Sequence, residues 1–339
     1  MQKIKYSAES SSRLDKYLSQ KYPFRSRRFW QKAIKTGQVV VNQEKKKPRY
    51  QLNPGDSIEL RLDLTPPPAV SSLSPQPKIT VPTIASYPDF LIVWKPAGLV
   101  THPGRFEVEN NSAPPSLAAG LLAIYPELQT VGEDPLRPAV VHRLDKDTSG
   151  LMIIPRHQKA FTEFKKMFQK RLITKTYLAL SWKLGQFNRR STLNKKYRLI
   201  DTPIGKSSQD HTKQATAKNP NKLINPKEAA TYFKIIAEDK LPCPHRVGPK
   251  INSKLKKFRP TALIQIQPKT GRKHQIRVHL HSIGLPLVGD KIYTSRLVKN
   301  CNRPFPHHLL EAHQLEFTYQ GQSFSFRSPL PAWANFSKK

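Results

Sequence analysis

A proline-rich stretch at residues 65–78 strongly constrains how this chain of 339 residues can fold. It reads Thr-Pro-Pro-Pro-Ala-Val-Ser-Ser-Leu-Ser-Pro-Gln-Pro-Lys. Because proline has no backbone N–H donor and fixes φ, neither a helix nor a central strand suits this segment. We therefore predict an extended, semi-stiff linker between two folded units, residues 1–64 and 79–339.

The charge of the chain indicates the kind of partner. Lysine and arginine number 58 against 23 acidic residues, which gives a formal net charge of +35. A balance this basic indicates a polyanion. Anionic lipid is the alternative, but the charges are spread along the chain and no run of about 18 apolar residues is available to cross a bilayer. We expect nucleic acid as the partner and no membrane attachment. Residues 1–5 lack the apolar core of a signal peptide, so we expect the cytoplasm.

Cysteine and histidine usage argues against metals and cofactors. Cys243 and Cys301 lie far apart in sequence and in unlike surroundings. This excludes a disulfide scaffold and disfavours a zinc site built on thiolates. The histidine pairs at 279/281 and 307–308 lack a carboxylate or thiolate at ligand spacing, so we expect no metal. The sequence has no glycine-rich phosphate loop and no dinucleotide fingerprint, so we expect no cofactor.

The N-terminal unit is predicted to contain two helices followed by a hairpin. Apolar residues recur with helical spacing near Leu14 and near Trp30, and Ser26 can cap the second helix. Residues 39–41 predict a strand. Apolar and polar residues alternate over residues 58–62, as in a half-buried strand.

Basic residues of this unit cluster at the start of the second helix and after the first strand. They are Arg25, Arg27, Arg28, Lys32, Lys45, Lys46 and Lys47. This order of helix, basic helix and hairpin resembles the S-four-type RNA-binding domain, which is named after a small-subunit ribosomal protein. The resemblance implies that these side chains bind RNA. A solvated basic face is the alternative.

The larger unit is predicted to start with a buried strand at residues 91–94. Two helices are predicted further on, at residues 116–124 and 157–169. Between them, β-branched apolar runs at residues 139–141 and 151–154 predict two strands, with a polar loop at 142–150. A loop held by two core strands is a rigid place for a reactive group.

Three segments of this unit carry motifs. The loop at 142–150 reads His-Arg-Leu-Asp-Lys-Asp-Thr-Ser-Gly and has Asp145 at its centre. Residues 171–180 place Tyr177 at the start of an alternating apolar strand. Residues 269–290 begin with Lys-Thr-Gly-Arg-Lys-His-Gln-Ile-Arg-Val-His-Leu and end with Gly-Asp. Together these strings resemble the RluA-like family of RNA pseudouridine synthases.

The resemblance implies a role for each matching residue. In that family the central aspartate is the nucleophile, which is Asp145 here, and the arginine of the Gln-Ile-Arg step pairs with it, which is Arg277. Tyr177 is placed in the site. Six further residues are predicted to bind substrate: His142, Arg143, Leu280, Arg272, His274 and His102. Of these, His142 and Arg143 would fill the gap left in the RNA, and Leu280 would line the pocket.

These residue types suit the reaction, which detaches uracil from its ribose, turns the ring and rejoins it through carbon. The nucleophile must be ionised, and a bidentate arginine keeps a carboxylate ionised and aims it. A tyrosine face can stack on the base, with its phenol where a proton leaves the ring carbon. The target base must also be turned out of its stack to reach the pocket.

The chain departs from the family pattern in places. Thr294 follows Tyr293 where the family commonly has glycine, and Glu311 precedes Ala312 where histidine is usual. Polar, basic insertions are predicted near residues 206–226 and 242–258, where the family usually has a shorter connection. None of these departures removes a predicted catalytic residue.

We therefore expect an α+β protein. A small α/β RNA-binding module at 1–64 precedes a catalytic domain at 79–339 built on a mixed, mostly antiparallel sheet. The expected function is isomerisation of uridine to pseudouridine in structured RNA, above all large-subunit ribosomal RNA, by a monomer. A transfer-RNA-specific synthase and a non-catalytic RNA-binding ribosome-assembly factor are the alternatives.

Overall fold

The chain divides into two compact units. The computed structural model describes residues 2–7, 11–22, 25, 27–62, 72–109, 112–185, 196–210, 213–216, 223–243 and 258–335. One unit comprises Met1–Ser74 with Pro103–Pro114, and the other comprises Pro75–His102 with Pro115–Lys339. The grouping of residues 103–114 with the N-terminal residues was not foreseen from the sequence. Residues 65–71, the first half of the predicted linker, lie outside the described residues.

The described residues between 2 and 62 form two helices and five short strands of the N-terminal unit. They are β1 (Gln2–Lys5), β2 (Ser12–Arg13), α1 (Leu14–Lys21), α2 (Arg27–Thr36), β3 (Val39–Val41), β4 (Gln51–Leu52) and β5 (Ser57–Leu60). Both predicted helices are confirmed, and Leu14 and Trp30 are fully buried in the core between helices and sheet. Ser26, the predicted cap, lies outside the described residues.

Strand β5 is shorter and more buried than expected. It ends at Leu60, and Ile58, Glu59 and Leu60 are all buried. The reason is its position, because β5 lies between β1 and β3 in an antiparallel sheet. A central strand in so small a unit is covered on both faces. The alternation of polar and apolar residues therefore does not predict which side chains of β5 are exposed.

The larger unit is built on a long sheet. Its elements, together with α3, are β6 (Thr83–Ser86), β7 (Phe90–Lys95), α3 (Arg105–Glu109), α4 (Leu117–Ile124), β8 (Ser149–Pro155), α5 (Gln158–Gln169), β9 (Thr174–Trp182), β10 (Arg198–Asp201), β11 (Ile204–Ser207), β12 (Gln214–Thr216), β13 (Leu223–Lys227), β14 (Ala230–Pro242), β15 (Phe258–Pro268), α6 (Gln275–Ser282), β16 (Leu310–Tyr319) and β17 (Gln322–Arg327). Helix α3 groups with the N-terminal unit.

Among the described residues, nine strands form one sheet in the order β10-β14-β15-β9-β16-β8-β7-β6, with β17 also paired to β16. The β8–β16 pair is parallel and the other pairs are antiparallel. The predicted α+β class with a mixed, mostly antiparallel sheet is confirmed.

The parallel pair fixes the place where the motif loop enters the sheet. Gly150, the second residue of β8, lies opposite Ala312 of β16 and has φ +125°. A Cβ at Gly150 would lie 2.4 Å from the backbone nitrogen and oxygen of Ala312. Only glycine fits there without moving β16, because it has neither the Cβ nor the φ restriction.

The two helices predicted in this unit are confirmed, and each is capped by the residue before it. The Ser116 side chain accepts a hydrogen bond from the Ala119 backbone N–H, and His157 does the same for Ala160. The apolar face of α5 packs on the sheet through Phe164, which lies in an aromatic cluster with Phe90. Within the described residues, no helix is long and apolar enough to cross a membrane.

Two sequence-based predictions about this unit are wrong. Residues 139–141 form turns and not a strand, because Ala139 has φ +56° and its N–H donates to Val131 O. Their apolar side chains are explained by burial instead, since Ala139 is fully buried and Val141 packs on the aromatic cluster. Strand β9 does not alternate, because it lies between β15 and β16 and is buried on both faces from Thr176 to Trp182.

The predicted insertion near residues 206–226 contains ordered structure. Strands β11, β12 and β13 form a separate three-stranded antiparallel sheet. Most of the second predicted insertion, residues 244–257, lies outside the described residues. Cys243 at its edge is joined to Cys301 by a disulfide across 58 residues of sequence, a pairing that the sequence did not suggest.

Candidate active site

Asp145 lies in a tightly anchored loop, residues 142–148, which leads directly into β8. The Thr101 hydroxyl donates to Leu144 O at 2.9 Å and accepts from Leu144 N at 3.2 Å. On the other side of Asp145, Gly98 N donates to Lys146 O at 2.9 Å. The backbone on each side of Asp145 is thus bonded to the segment that follows β7.

Lys95 at the end of β7 adds a buried anchor. Its side chain is fully buried, and its Nζ donates to the carbonyl oxygens of Pro96, Leu99 and Lys146 at 2.7–3.0 Å. Burial lowers the pKa of Lys95 to about 7, against the opposing attraction of the nearby Asp147 and Asp145. Sequence reasoning missed Lys95 and Thr101, because nothing local marks a lysine or threonine that bonds a distant loop.

Two neighbouring histidines bond the far end of the loop. His308 Nε2 lies 2.8 Å from Thr148 Oγ1, and His307 Nδ1 lies 3.0 Å from Asp147 Oδ1. Burial lowers the pKa of His308 to about 4, so its imidazole is neutral near pH 7. The sequence predicted no metal at this pair and gave it no other role. The structure gives both side chains partners in the Asp145 loop.

The Asp145 carboxylate is approached by two nitrogen atoms on one side. Arg277 Nη1 lies 3.5 Å from Asp145 Oδ2, and His274 Nε2 lies 4.0 Å from the same oxygen. Both residues belong to the start of α6, which brings the third motif against the first. The predicted convergence of Asp145 and Arg277 is therefore present in the fold.

The predicted bidentate pair between Arg277 and Asp145 is wrong. The guanidinium donates its two parallel bonds to Asp290, from Nε to Oδ2 at 2.7 Å and from Nη2 to Oδ1 at 3.0 Å. Asp290 Oδ1 also accepts the backbone N–H groups of Ile292 and Tyr293. Asp145 is left with a single, longer contact from the remaining nitrogen of Arg277.

The Arg277–Asp290 pair keeps its charges although it is buried. Burial alone would raise the pKa of Asp290, but the hydrogen bonds and positive charge of Arg277 outweigh it and lower that pKa. Burial likewise opposes the charge of Arg277, yet Asp290 raises the pKa of the guanidinium. This pair fixes the guanidinium plane and so fixes the nitrogen that faces Asp145.

Tyr177 lies within β9 and faces the same cavity. It is 9% exposed, and burial together with the negative charge of Asp145 raises the pKa of its phenol. Tyr177 is therefore a neutral phenol beside a carboxylate. It can offer its ring face to a planar ligand and its hydroxyl as a hydrogen-bond donor.

These side chains line one open cavity of about 980 Å³. Apolar and aromatic groups form part of its wall, through Ile173, Ile276, Leu310, Phe168 and Tyr232. Its lining also contains many basic residues: Arg143, Lys165, Arg171, Lys175, Lys269, Arg272 and Lys273. The arrangement suits a planar base inside the cavity and an anionic backbone along its rim.

The predicted substrate-binding residues separate into two groups. His142, Arg143, Arg272 and His274 line this cavity together with Asp145, Tyr177 and Arg277. Leu280 does not, because it is fully buried in the core. His102 is half-buried and is also absent from the lining.

His142 is held by a hydrogen bond and a ring contact within the larger unit. Its Nε2 accepts a hydrogen bond from Ile153 N at 3.0 Å, and its ring stacks on Phe168 at a centroid distance of 4.4 Å. Burial lowers the pKa of His142 to about 3, in keeping with a ring nitrogen that must stay unprotonated to accept that bond. Arg143 is exposed. Arg143 is therefore the better candidate of the two to fill the gap that the target base leaves in the RNA stack.

The predicted RNA-binding residues of the N-terminal unit differ in whether they already bond to other side chains of the protein. Arg27 donates two hydrogen bonds to the buried Asp15, at 3.1 and 3.2 Å. Burial opposes the charge of Asp15, but hydrogen bonds from Gln31, Arg27 and Arg13 lower its pKa overall. Arg27 is thus a structural partner of Asp15 as well as a surface charge.

The remaining basic residues of that unit are mostly at the surface. Lys46 pairs with Glu44, and the Arg25 guanidinium lies 4.8 Å from the centre of the Phe29 ring. Lys32, Lys45 and Lys47 are exposed, whereas the side chain of Arg28 is outside the described part of the chain. The three exposed lysines are the clearest candidates for contacts with phosphate.

Comparisons with known proteins agree with both units. A family model described as RNA pseudouridylate synthase matches residues 89–282, and a model of the S4 domain matches residues 12–58. An uncharacterised RNA pseudouridine synthase of Chloroflexus aurantiacus is 32% identical over 325 residues, which cover 96% of this chain and 88% of that protein. Ribosomal large subunit pseudouridine synthase D of Nitrosomonas europaea is 34% identical over 247 residues, covering 71% of this chain and 59% of that protein.

A solved human structure supports the fold. Human RNA pseudouridylate synthase domain containing 1 has a TM-score of 0.54 at 23% identity, covering 74% of this chain and 83% of that one. The family match spans more than half of the chain and includes the Asp145, Tyr177 and Arg277 segments. The chain therefore belongs to the RluA-like RNA pseudouridine synthase family, as an isomerase of uridine in RNA with an N-terminal S4 RNA-binding domain.

Proposed function

We propose that this synthase modifies large-subunit ribosomal RNA and uses Asp145 as its nucleophile. The observation that carries the proposal is the convergence of Asp145, Tyr177 and Arg277 in one cavity with many basic residues in its lining. Several relatives carry the name ribosomal large subunit pseudouridine synthase D, which favours the ribosomal substrate over transfer RNA.

Asp145 is held in the way a nucleophile needs. Its backbone neighbours are bonded to Thr101, Gly98 and Lys95, so the carboxylate does not have to be ordered when substrate arrives. A group placed in advance avoids the entropic cost of being positioned during the reaction. Arg277 faces the carboxylate with a positive charge at 3.5 Å, where it can orient the group that reacts.

Tyr177 is assigned to stacking and hydrogen bonding. Because its pKa is raised, the phenol would have to lose its own proton before it could take one from the base. A neutral phenol in an apolar wall can instead hold the detached uracil ring against Asp145 while the ring turns. The same wall limits the water that would otherwise react with the sugar.

The target nucleotide must leave its stack to reach Asp145, and Arg143 is suited to occupy the gap. It is exposed, it lines the cavity, and it lies two residues before the proposed nucleophile. The S4 domain supplies a second RNA contact, as a module on the same chain. A monomer in the cytoplasm is sufficient for this scheme, and both remain predictions from the sequence.

Mapping pseudouridine in total RNA from cells with and without the gene tests the proposal. We expect one or a few sites in large-subunit ribosomal RNA to disappear and to return when the intact gene, but not the Asp145→Asn gene, is restored. Loss confined to transfer RNA would contradict the ribosomal assignment. An unchanged map, with the protein still bound to ribosomal precursors, would favour a non-catalytic assembly factor.

A further inference from the structure

The Tyr293 hydroxyl connects the small sheet to the start of α6. It lies 2.9 Å from the backbone nitrogen of Gln214 in β12 and 2.8 Å from His274 Nδ1. A backbone N–H can only donate, so the Tyr293 oxygen accepts from Gln214. The hydroxyl hydrogen is then left to be donated, and His274 Nδ1 is the acceptor at hydrogen-bond distance among the described residues.

This arrangement fixes the proton of the imidazole. Burial lowers the pKa of His274 to about 4 and raises that of Tyr293 to about 12, so both groups are neutral near pH 7. A neutral imidazole that accepts at Nδ1 carries its hydrogen on Nε2. His274 therefore presents an Nε2–H group to the cavity.

Nε2 is also the ring nitrogen that lies near the carboxylate of Asp145. His274 Nε2 and Arg277 Nη1 approach the same oxygen, Oδ2, at 4.0 and 3.5 Å. Within the described part of the chain, no hydrogen bond to Asp145 Oδ1 is formed. His274, the residue just before α6, also has φ +57°, a left-handed backbone conformation that is uncommon outside glycine.

We propose that Tyr293 holds His274 as its Nε2–H tautomer, and that His274 is a second, neutral donor that orients Asp145 through Oδ2 and leaves Oδ1 to react. The inference rests on the proposed role of Asp145. His274 is a positioning residue in this scheme. The gap of 4.0 Å is longer than a hydrogen bond and has to shorten when RNA fills the cavity, as catalytic contacts commonly do.

The tautomer can be read directly by nitrogen-15 NMR of the full chain labelled at histidine. The His274→Gln spectrum identifies the signals of His274 by their absence. We expect the free wild-type protein at pH 7 to show a protonated Nε2 and an unprotonated Nδ1, and Tyr293→Phe to show a mixture of tautomers. A protonated Nδ1 in the wild type, or an unchanged spectrum in Tyr293→Phe, would overturn the inference.

Single-turnover kinetics on a ribosomal RNA transcript test the consequence. His274→Leu should lower the rate at saturating RNA by roughly tenfold or more, as for the loss of a donor at a reacting centre. His274→Gln can place an amide N–H near the same position and should recover part of that rate. Tyr293→Phe should lose about threefold to tenfold, the worth of one neutral hydrogen bond.

Tyr125→Phe is the matched control, because it removes a hydroxyl whose partner, Thr83, belongs to β6. It should leave the rate unchanged. Equal rates for wild type and His274→Leu would overturn the inference, as would a loss confined to RNA affinity. The failure of the proposed function would look different, because Asp145→Asn would then retain activity while the tautomer remained as described.

Discussion

At the scale of single residues, the Arg277 guanidinium divides its donors between two carboxylates. Two nitrogens bind the buried Asp290, and the third faces Asp145 at 3.5 Å. The two hydrogen bonds to Asp290 hold the guanidinium in the position from which its third nitrogen faces the proposed nucleophile. A change at Arg277 should therefore affect both the stability of the fold and the chemistry.

Arg277→Lys separates these two roles. Lysine keeps the charge but cannot reproduce the fork, so Asp290 loses at least one buried hydrogen bond. We expect the free energy of unfolding to fall by about 1–3 kcal/mol and the single-turnover rate to fall more than RNA affinity does. Urea unfolding and kinetics at saturating RNA measure the two effects.

Arg272→Lys is the control for this prediction, because Arg272 Nε bonds the Glu228 carbonyl at the edge of the same cavity. It should be nearly neutral in stability. A purely binding defect in Arg277→Lys would reassign Arg277 to phosphate contact.

At the scale of elements, the loop that carries Asp145 is coupled to the strand that follows it. His142, at the start of the loop, accepts the Ile153 N–H of β8 and stacks on Phe168 of α5. Protonation of His142 would remove the acceptor and place a charge among apolar groups. The anchoring of the loop should therefore weaken in acid.

His142→Gln tests that coupling. In the folded state the pKa of His142 is lowered to about 3, while the unfolded chain takes up the proton near pH 6.5. The unfolded state thus binds more protons between these values, so stability is fully present above pH 6.5 and is lost as pH falls toward 3. Between pH 7 and pH 5 the titration of His142 should lower the free energy of unfolding by about 2 kcal/mol.

Glutamine can accept the same N–H without titrating. The free energy of unfolding of His142→Gln should therefore fall by about 2 kcal/mol less than that of the wild type between pH 7 and pH 5. Urea unfolding of the two proteins at pH 7 and pH 5 gives the comparison. Equal losses in both would mean that His142 is already free to protonate in the folded protein.

At the scale of the whole molecule, two units with separate cores share one strongly basic chain. Binding to RNA releases counterions in proportion to the phosphates neutralised, so affinity should fall steeply with salt. The exposed Lys32, Lys45 and Lys47 of the S4 domain should contribute to this slope although they take no part in chemistry.

Replacing these three lysines with glutamine should weaken RNA binding and reduce the slope of log affinity against log salt by about 2. The single-turnover rate at saturating RNA should be retained. A matched triple variant in the other unit, at the exposed Lys159, Lys240 and Lys299, controls for loss of charge alone. If both triple variants reduce the slope equally, the S4 domain has no special part in binding.

The sequence predicts those features that depend on local pattern. The helices α4 and α5, the S4 domain and the convergence of Asp145, Tyr177 and Arg277 followed from spacing and from motif resemblance. It does not predict the partner of a side chain when that partner is distant in sequence and unmarked by a motif. Asp290 as the partner of Arg277, and Lys95 as an anchor, depend on how loops meet in space.

Burial explains the other differences between expectation and structure. Leu280 is an apolar residue of the kind that could line the cavity, yet it is buried in the core. The residues of α6 that line the cavity are Gln275, Ile276 and Arg277. The valines near Ala139 have strand propensity, but a positive φ at Ala139 turns the chain there. In both cases tertiary packing decides what residue type alone leaves open.

The central claim, that Asp145 reacts with the uridine, is tested most directly by release of tritium from carbon-5 of uracil. Asp145→Asn keeps the shape of the side chain but removes its charge, whereas Asp147→Asn changes the next acid of the same loop, which bonds His307. We expect Asp145→Asn to lose at least about 100-fold in turnover while binding RNA nearly as wild type, and Asp147→Asn to keep most of its turnover. Turnover of Asp145→Asn within about tenfold of wild type would contradict the account.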